Sequence, residues 1–318
     1  MPQAPPEEPK PEEPKPVDPK PGGAEAEEPK PGEPKAEEGE GNGKTHAESS
    51  PEALRLIQDA ARRQGTQDLV GDRAIRRFRQ EFRTIVVYPA KGGKWQTSAV
   101  EAFALPAEGS KECRLRSEYD RDGQAVALGH SGRAGWIWTK REGVRRLTDE
   151  RDEQSARELD DRRRMHRLAL RVFFLGNLRA DTVPRRLLPD EDLVLPRGQD
   201  GKHPAVRCRV LERAASAADG EPPMRLYLDA KTLDPVAALL LPWDPKGPSY
   251  LLTLDYEKDD PRKPPAVPAG VRIPFWIELF EVPPGPAAKP AILYQASLDA
   301  LEIDPAKVPD SLFAVPKE

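Results

Sequence analysis

Cysteine is nearly absent: 318 residues contain two, Cys113 and Cys208. That count excludes a disulfide-stapled scaffold. With no Cys-x-x-Cys pair and four scattered histidines (His46, His130, His166, His203), no metal site is spelled out either. Each Cys sits on an alternating strand pattern, which leaves two buried thiols or one disulfide in an oxidising compartment as the alternatives. No apolar run approaches ~18 residues, so no transmembrane helix is expected. Nothing apolar follows Met1 in MPQAPPEEPK, so no signal peptide is visible; a cytoplasmic chain and one whose true N-terminus differs are both left open. The formal charge of −4 divides into about −7 over residues 1–49 and about +3 over the rest, so the folded part is too weakly basic for nucleic-acid binding to be expected.

Catalytic signatures are missing too. The chain has no G-x-S-x-G, no phosphate loop, no G-x-G-x-x-G and no H-E-x-x-H, so no catalytic residue and no cofactor is assigned. Two carboxylates on facing strands could still form a glycosidase pair, but no pair is singled out. A hydrolase on a β scaffold therefore remains the least favoured of the functional alternatives.

What is abundant is proline, with 37 residues. Residues 1–49 hold twelve of them with thirteen Asp/Glu, six Lys and no aromatic residue, in a loose repeat that begins PEEPKPEEPKPVDPKP. Such a segment cannot bury enough apolar surface to offset its ordering entropy, and its prolines favour extended polyproline II. A disordered tail or spacer is expected over 1–49, and one folded domain over 50–318.

The domain opens with a helix. Ser50 is an N-cap, Pro51 occupies the first turn and Gly65 is the stop. From Ile75 the apolar period becomes two, with Gly at the turns, which predicts an antiparallel meander. Phe78, Phe82 and Val86 share one face of its first strand. Trp136 and Trp138 share a face further on, about 7 Å apart. A long helix is predicted from Asp149 to about Leu175, stopped by Gly176. Its arginine cluster around Arg164 and Arg167 reads as a solvated face, with acidic head groups as the alternative contact. Its apolar end, including Leu168, Val172 and Phe173, reads as a buried last turn or as a lid over a cavity. More strands follow; in two of them Leu252 with Leu254 and Phe275 with Ile277 share faces. There is no βαβ alternation. The fold class expected is mainly β: an open, strongly curved antiparallel half-barrel of about eleven strands, with an N-terminal helix and one long inserted helix covering its concave face.

The stretch Met224–Leu241, MRLYLDAKTLDPVAALLL, predicts a hairpin whose turn is built by Asp, Thr and Pro and whose second strand is apolar on both faces. The spacing Tyr227-Leu228-Asp229…Thr232…Pro235-Val236, the run Gly270 to Pro274 and the ending Asp310…Phe313…Pro316 resemble the bacterial outer-membrane lipoprotein carriers, the Lol-type half-barrel superfamily. The resemblance covers residues 50–318. It implies a non-enzymatic protein of the periplasm or cell envelope that holds an acyl chain in an apolar half-barrel cavity, with a role in lipoprotein sorting. Its partners would be a lipid or lipidated protein and the membrane surface, and it would be a monomer. The cavity residues implied are Phe78, Phe82, Trp136, Trp138, Leu252, Leu254, Phe275 and Ile277, under a lid of Leu168, Val172 and Phe173. In the carriers an early-strand Arg bonds the lid, a role open here to Arg77, Arg79 or Arg83. The alternative is a structural or interaction module with a filled core.

Overall fold

The computed structural model describes residues 49–68, 75–88, 93–104, 114–121, 123–131, 134–147, 153–180, 183–196, 205–216, 221–256, 270–285, 289–303 and 308–316. Cys113 and all of the Pro-rich tail but Ser49 lie outside them. Helix α1 (Pro51–Gln64) starts as its sequence predicts, with the Ser50 side chain accepting from Ala53 N at 3.1 Å. Its inner face is Ala53, Leu56, Ile57, Ala60 and Ala61, whereas Leu54 is exposed.

Gly65 ends α1 in the left-handed region at φ 75°, and a Cβ there would lie 1.8 Å from Gly270 O. The close approach has a purpose: Arg272 N donates to Gln64 O, tying the Gly270–Pro274 segment to the helix end. Gly65→Ala is expected to lose about 2 kcal/mol or more from backbone strain plus displacement of that segment. Urea unfolding followed by circular dichroism measures it, and a loss below about 0.5 kcal/mol would refute this account of the cap.

Six strands form the first meander: β1 (Arg77–Val87), β2 (Trp95–Ala104), β3 (Arg114–Arg121), β4 (Gln124–Ser131), β5 (Ala134–Thr139) and β6 (Gly143–Leu147). Helices α2 (Glu153–Val172) and α3 (Leu175–Ala180) follow. The second meander is β7 (Arg185–Leu193), β8 (Val206–Arg213), β9 (Met224–Asp229), β10 (Pro235–Leu240), β11 (Ser249–Asp255), β12 (Trp276–Val282) and β13 (Ala291–Glu302). Among the described residues these make one sheet in the order β6-β5-β4-β3-β2-β1-β13-β12-β11-β10-β9-β8-β7, with every neighbouring pair antiparallel. The two meanders are thus sewn together by β1 and β13. The edges β6 and β7 do not meet, so the sheet is an open, curved half-barrel. The strands number thirteen rather than about eleven; the strand that the sequence hides is β7, whose run RRLLPDEDL is highly polar and lies in a Pro-rich stretch, which masks its alternation.

The inner face of the sheet packs on the helices. Phe78, Phe82, Leu115, Leu226, Leu252, Leu254, Ile277 and Leu298 meet Ile57, Leu168, Val172, Phe173 and Phe174 in one core. A bulge in β1 changes the expected face: past Phe82 the register slips, and Ile85 rather than Val86 points inward. The outer face of β8–β12 carries a second apolar cluster that includes Cys208, Val210, Tyr227, Ala237 and Phe280. Cys208 is a free, buried thiol. Burial pushes it up to about 11, and the nearby Asp229 and Glu191 carboxylates add to the rise, so it stays protonated at neutral pH.

The hairpin turn is built as its residues predict. Asp229 Oδ1 accepts from Lys231 N (2.7 Å) and Thr232 N (2.9 Å), and Thr232 Oγ1 accepts from Asp234 N at 3.3 Å. Strand β10 is apolar on both faces because Ala238 joins the inner core while Ala237 and Leu239 join the outer cluster.

The long helix ends earlier than expected. It breaks at Phe173–Phe174, and Gly176 lies inside α3 rather than acting as the stop. The cause is tertiary: Gln64 Nε2 donates to Val172 O, while Gln64 Oε1 and Thr66 Oγ1 accept from Leu175 N and Gly176 N. Side chains from the end of α1 therefore cap α3 from outside, a partner that no local rule supplies.

Candidate functional site

The registers of β8 to β11 place four inward side chains in one row across the strands. Arg213 pairs with Met224, Met224 with Leu240, and Leu240 with Tyr250. Neighbouring strands lie about 4.8 Å apart, so the row spans about 14 Å. Arg167, Leu168 and Arg171, one face of the last turns of α2, lie over it. Between row and helix is a cavity of about 280 Å³. Its mouth is formed by Pro242, Trp243 and Pro248, in the connection from β10 to β11. That connection is shaped by Asp244, whose side chain accepts from Lys246 N and whose carbonyl accepts from Gly247 N. Trp243 is 56% exposed there.

One end of the row is charged. The Arg213 guanidinium is buried, a position that costs several kcal/mol without a counter-charge. Glu221 supplies one: its Oε2 lies 3.3 Å from Arg213 Nη2 and also pairs with Arg171 Nη2. Two backbone hydrogen bonds between Ser216 and Glu221, each 2.9 Å, hold Glu221 in place beside β9. The cavity is therefore an apolar slot of Leu168, Met224, Leu240 and Tyr250 with guanidinium groups at the β8 end.

On the other half of the inner face a second row is polar. Gln80, Glu101 and Ser117 are opposite one another on β1, β2 and β3, and all are buried. Ser117 Oγ donates to Glu101 Oε1 at 3.0 Å, and Gln80 Nε2 donates to Glu101 Oε2 at 3.1 Å. His166 of α2 brings Nε2 to 2.9 Å from the same Oε2. Its ring is stacked against Phe78 and Phe103, with centroids 5.6 and 5.4 Å away. These contacts put the Glu101 carboxylate between Ser117 and His166, whereas nucleophilic catalysis needs His between serine and carboxylate. The arrangement joins helix to sheet through a buried polar contact.

The cavity residues expected from the sequence divide between places. Phe78, Phe82, Leu252, Leu254 and Ile277 are on the inner face but are closely covered by the helices; Val172 and Phe173, at the end of α2, are part of that cover and are buried in the same core. Phe275 is half-buried just before β12. Trp136 and Trp138 are a correction. They pair with Gly129 and Ala127, on the face opposite the core residues Leu128 and Ile137, so they point outward. Trp136 lies against Gly129, whose Cβ would come within 2.3 Å of the indole, and the Arg116 guanidinium sits 5.7 Å from its ring. Alternation shows that the two indoles share a face, but not which face it is. Of the residues expected to form lid and cavity, Leu168 alone lines the 280 Å³ space.

The arginines of β1 are not on the helix side. Arg77 pairs with Asp310 (2.7 Å), Arg79 with Glu81 (2.6 Å) and Glu302 (3.1 Å), and Arg83 with Asp299 (2.5 Å). The polar β1 side chain that turns toward α2 is Gln80, 3.0 Å from His166. Arg213, Glu221, Met224 and Leu240 were not singled out as site residues because what joins them is cross-strand register and the Ser216–Glu221 bridge. A signal did exist: the two-sided apolar β10 and the Arg167 cluster both touch this cavity.

No family model and no curated protein matches the chain. Among solved structures it is similar to a DUF1329 family protein from Desulfovibrio piger, at 12% identity and TM-score 0.43 over 84% of this chain and 100% of that one. It is similar to an outer membrane lipoprotein-sorting protein domain from Vibrio parahaemolyticus, at 13% identity and TM-score 0.41 over 82% and 95%. It is also similar to a LolA superfamily protein from Nitrosomonas europaea, at 12% identity and TM-score 0.42 over 81% and 97%.

Proposed function

We propose that this chain is a non-enzymatic envelope protein that holds one acyl chain, of a lipid or a lipidated protein, in the slot between α2 and the Arg213–Tyr250 row. Residues 50–318 are the binding domain, and the Pro-rich tail is its spacer. The carrying observation is the 280 Å³ cavity on the inner face, floored by Met224, Leu240 and Tyr250 and roofed by Leu168. That volume is just below the ~300–1,000 Å³ of ligand pockets, a size that suits a single chain. A narrow apolar slot recognises methylenes by the water they leave, and each contributes about 0.8 kcal/mol. Affinity for a series of straight-chain alcohols should therefore rise about fourfold per added carbon, then level off when the slot is full. Titration followed by Trp243 fluorescence tests this, and mass spectrometry of organic extracts of the purified protein identifies any resident chain. Affinities independent of chain length, with no lipid above background, would remove the proposal.

A filled interaction module is the second reading, favoured by the close packing of Phe78, Phe82 and Ile277 under the helices. It predicts no binding of any chain.

A further inference from the structure

We infer that the slot selects a chain bearing an anionic head group, carboxylate or phosphate, which takes the place of the Glu221 carboxylate on Arg171 and Arg213. The inference rests on the acyl-chain reading and adds to it what sits at the charged end. The cross-strand row grades from cation to hydrocarbon: Arg213 on β8, then Met224, Leu240 and Tyr250. Arg171 extends from the roof to the same end, and Arg167 also lines the cavity. A chain lying along Met224 and Leu240 therefore ends against guanidinium groups.

The structure holds a carboxylate in that position already. Glu221 Oε2 receives both Arg171 and Arg213, so the two side chains converge on one anionic oxygen. Glu221 stands at the cavity wall and is buried, so its carboxylate and a ligand anion would compete for the same donors. Guanidinium groups suit either anion, because their donors match two oxygens at once. A neutral alcohol cannot replace Glu221 there, and an ammonium head would meet the arginines with like charge.

The test compares ligands of one chain length: dodecanoate, dodecyl phosphate, dodecanol and dodecylammonium, titrated calorimetrically into the full chain. Dodecanoate or dodecyl phosphate should bind at least about tenfold more tightly than dodecanol, a difference that falls with salt, and dodecylammonium should be weakest. Whichever anion binds more tightly assigns the head group as carboxylate or phosphate. Arg171→Gln, at a partly exposed position, should bring the ratio of anion to alcohol affinity toward one. Glu221→Gln should raise that ratio by removing the competitor. Equal affinities for dodecanol and the anions in the native protein, or a ratio that Arg171→Gln leaves in place, would overturn the inference. If none of the four binds, the acyl-chain reading itself fails.

Discussion

His166→Ala should lower the free energy of unfolding by about 3–4 kcal/mol. Two losses combine. The imidazole packs beside Phe78 and Phe103, which also touch each other, and removing a buried ring of this kind typically costs about 3 kcal/mol through lost contacts and the void left behind. Glu101 also loses the contact at its Oε2, and weakening a buried carboxylate's set of partners costs on the order of 1 kcal/mol or more even when Ser117 and Gln80 still donate to it. The residue lies one position before Arg167 and two before Leu168, which roof the slot. Loss of the anchor should therefore also weaken chain binding, in proportion to how far α2 loosens. Urea unfolding gives the first quantity and alcohol titration the second. A double-mutant cycle with Glu101→Gln should show coupling of at least about 1 kcal/mol. Additive effects would mean that the contact at 2.9 Å does not bind helix to sheet.

Ala296→Asp should be more damaging, at about 5 kcal/mol near pH 7. Ala296 is fully buried where the two meanders are joined, between Ile85 of β1 and Ile277 of β12. All three belong to the inner core. A carboxylate placed there cannot reach water, and burial raises its pKa above the ~3.9 of the unfolded chain. The sign follows from that shift. At a pH below ~3.9 both states are protonated, and only the cost of burying a neutral acid remains. As pH rises the unfolded state ionises first, and the penalty grows by about 1.4 kcal/mol per pH unit until the folded carboxyl ionises too. The gap between variant and native protein, measured by urea unfolding at each pH, should widen from acid toward neutral. A constant gap would show that residue 296 is hydrated, and hence that the seam is not closed as described.

How much of this was legible in the chain can be judged residue by residue. The Ser50 cap, the Gly65 stop and the Asp229–Asp234 turn formed as their residues predict, because each is an interaction between groups a few positions apart. So did the alternation of the strands and the two-sided character of β10. Leu168 was legible as part of a roof, since it lies at the apolar end of an otherwise charged helix.

The remaining features depended on partners distant in sequence. Trp136 and Trp138 share a face by alternation, yet only the position of the helices decides that this face is the outer one. The helix was expected to run to Gly176, and it breaks at Phe173–Phe174 because Gln64 and Thr66, more than a hundred residues earlier, cap the next turn. The bulge after Phe82 exchanges Val86 for Ile85 at the core, a slip set by pairing with β13 and β2. The candidate site belongs to the same class. Arg213, Met224, Leu240 and Tyr250 are spread over 38 positions of sequence and come together as one row only when four strands take their registers. The sequence by itself determined the periodicities, caps and turns, because these are short-range and follow from each residue's own stereochemistry. The tertiary structure alone decided which face is inward, where the slot lies and which charges border it, because those depend on register, and register is a property of pairs of strands.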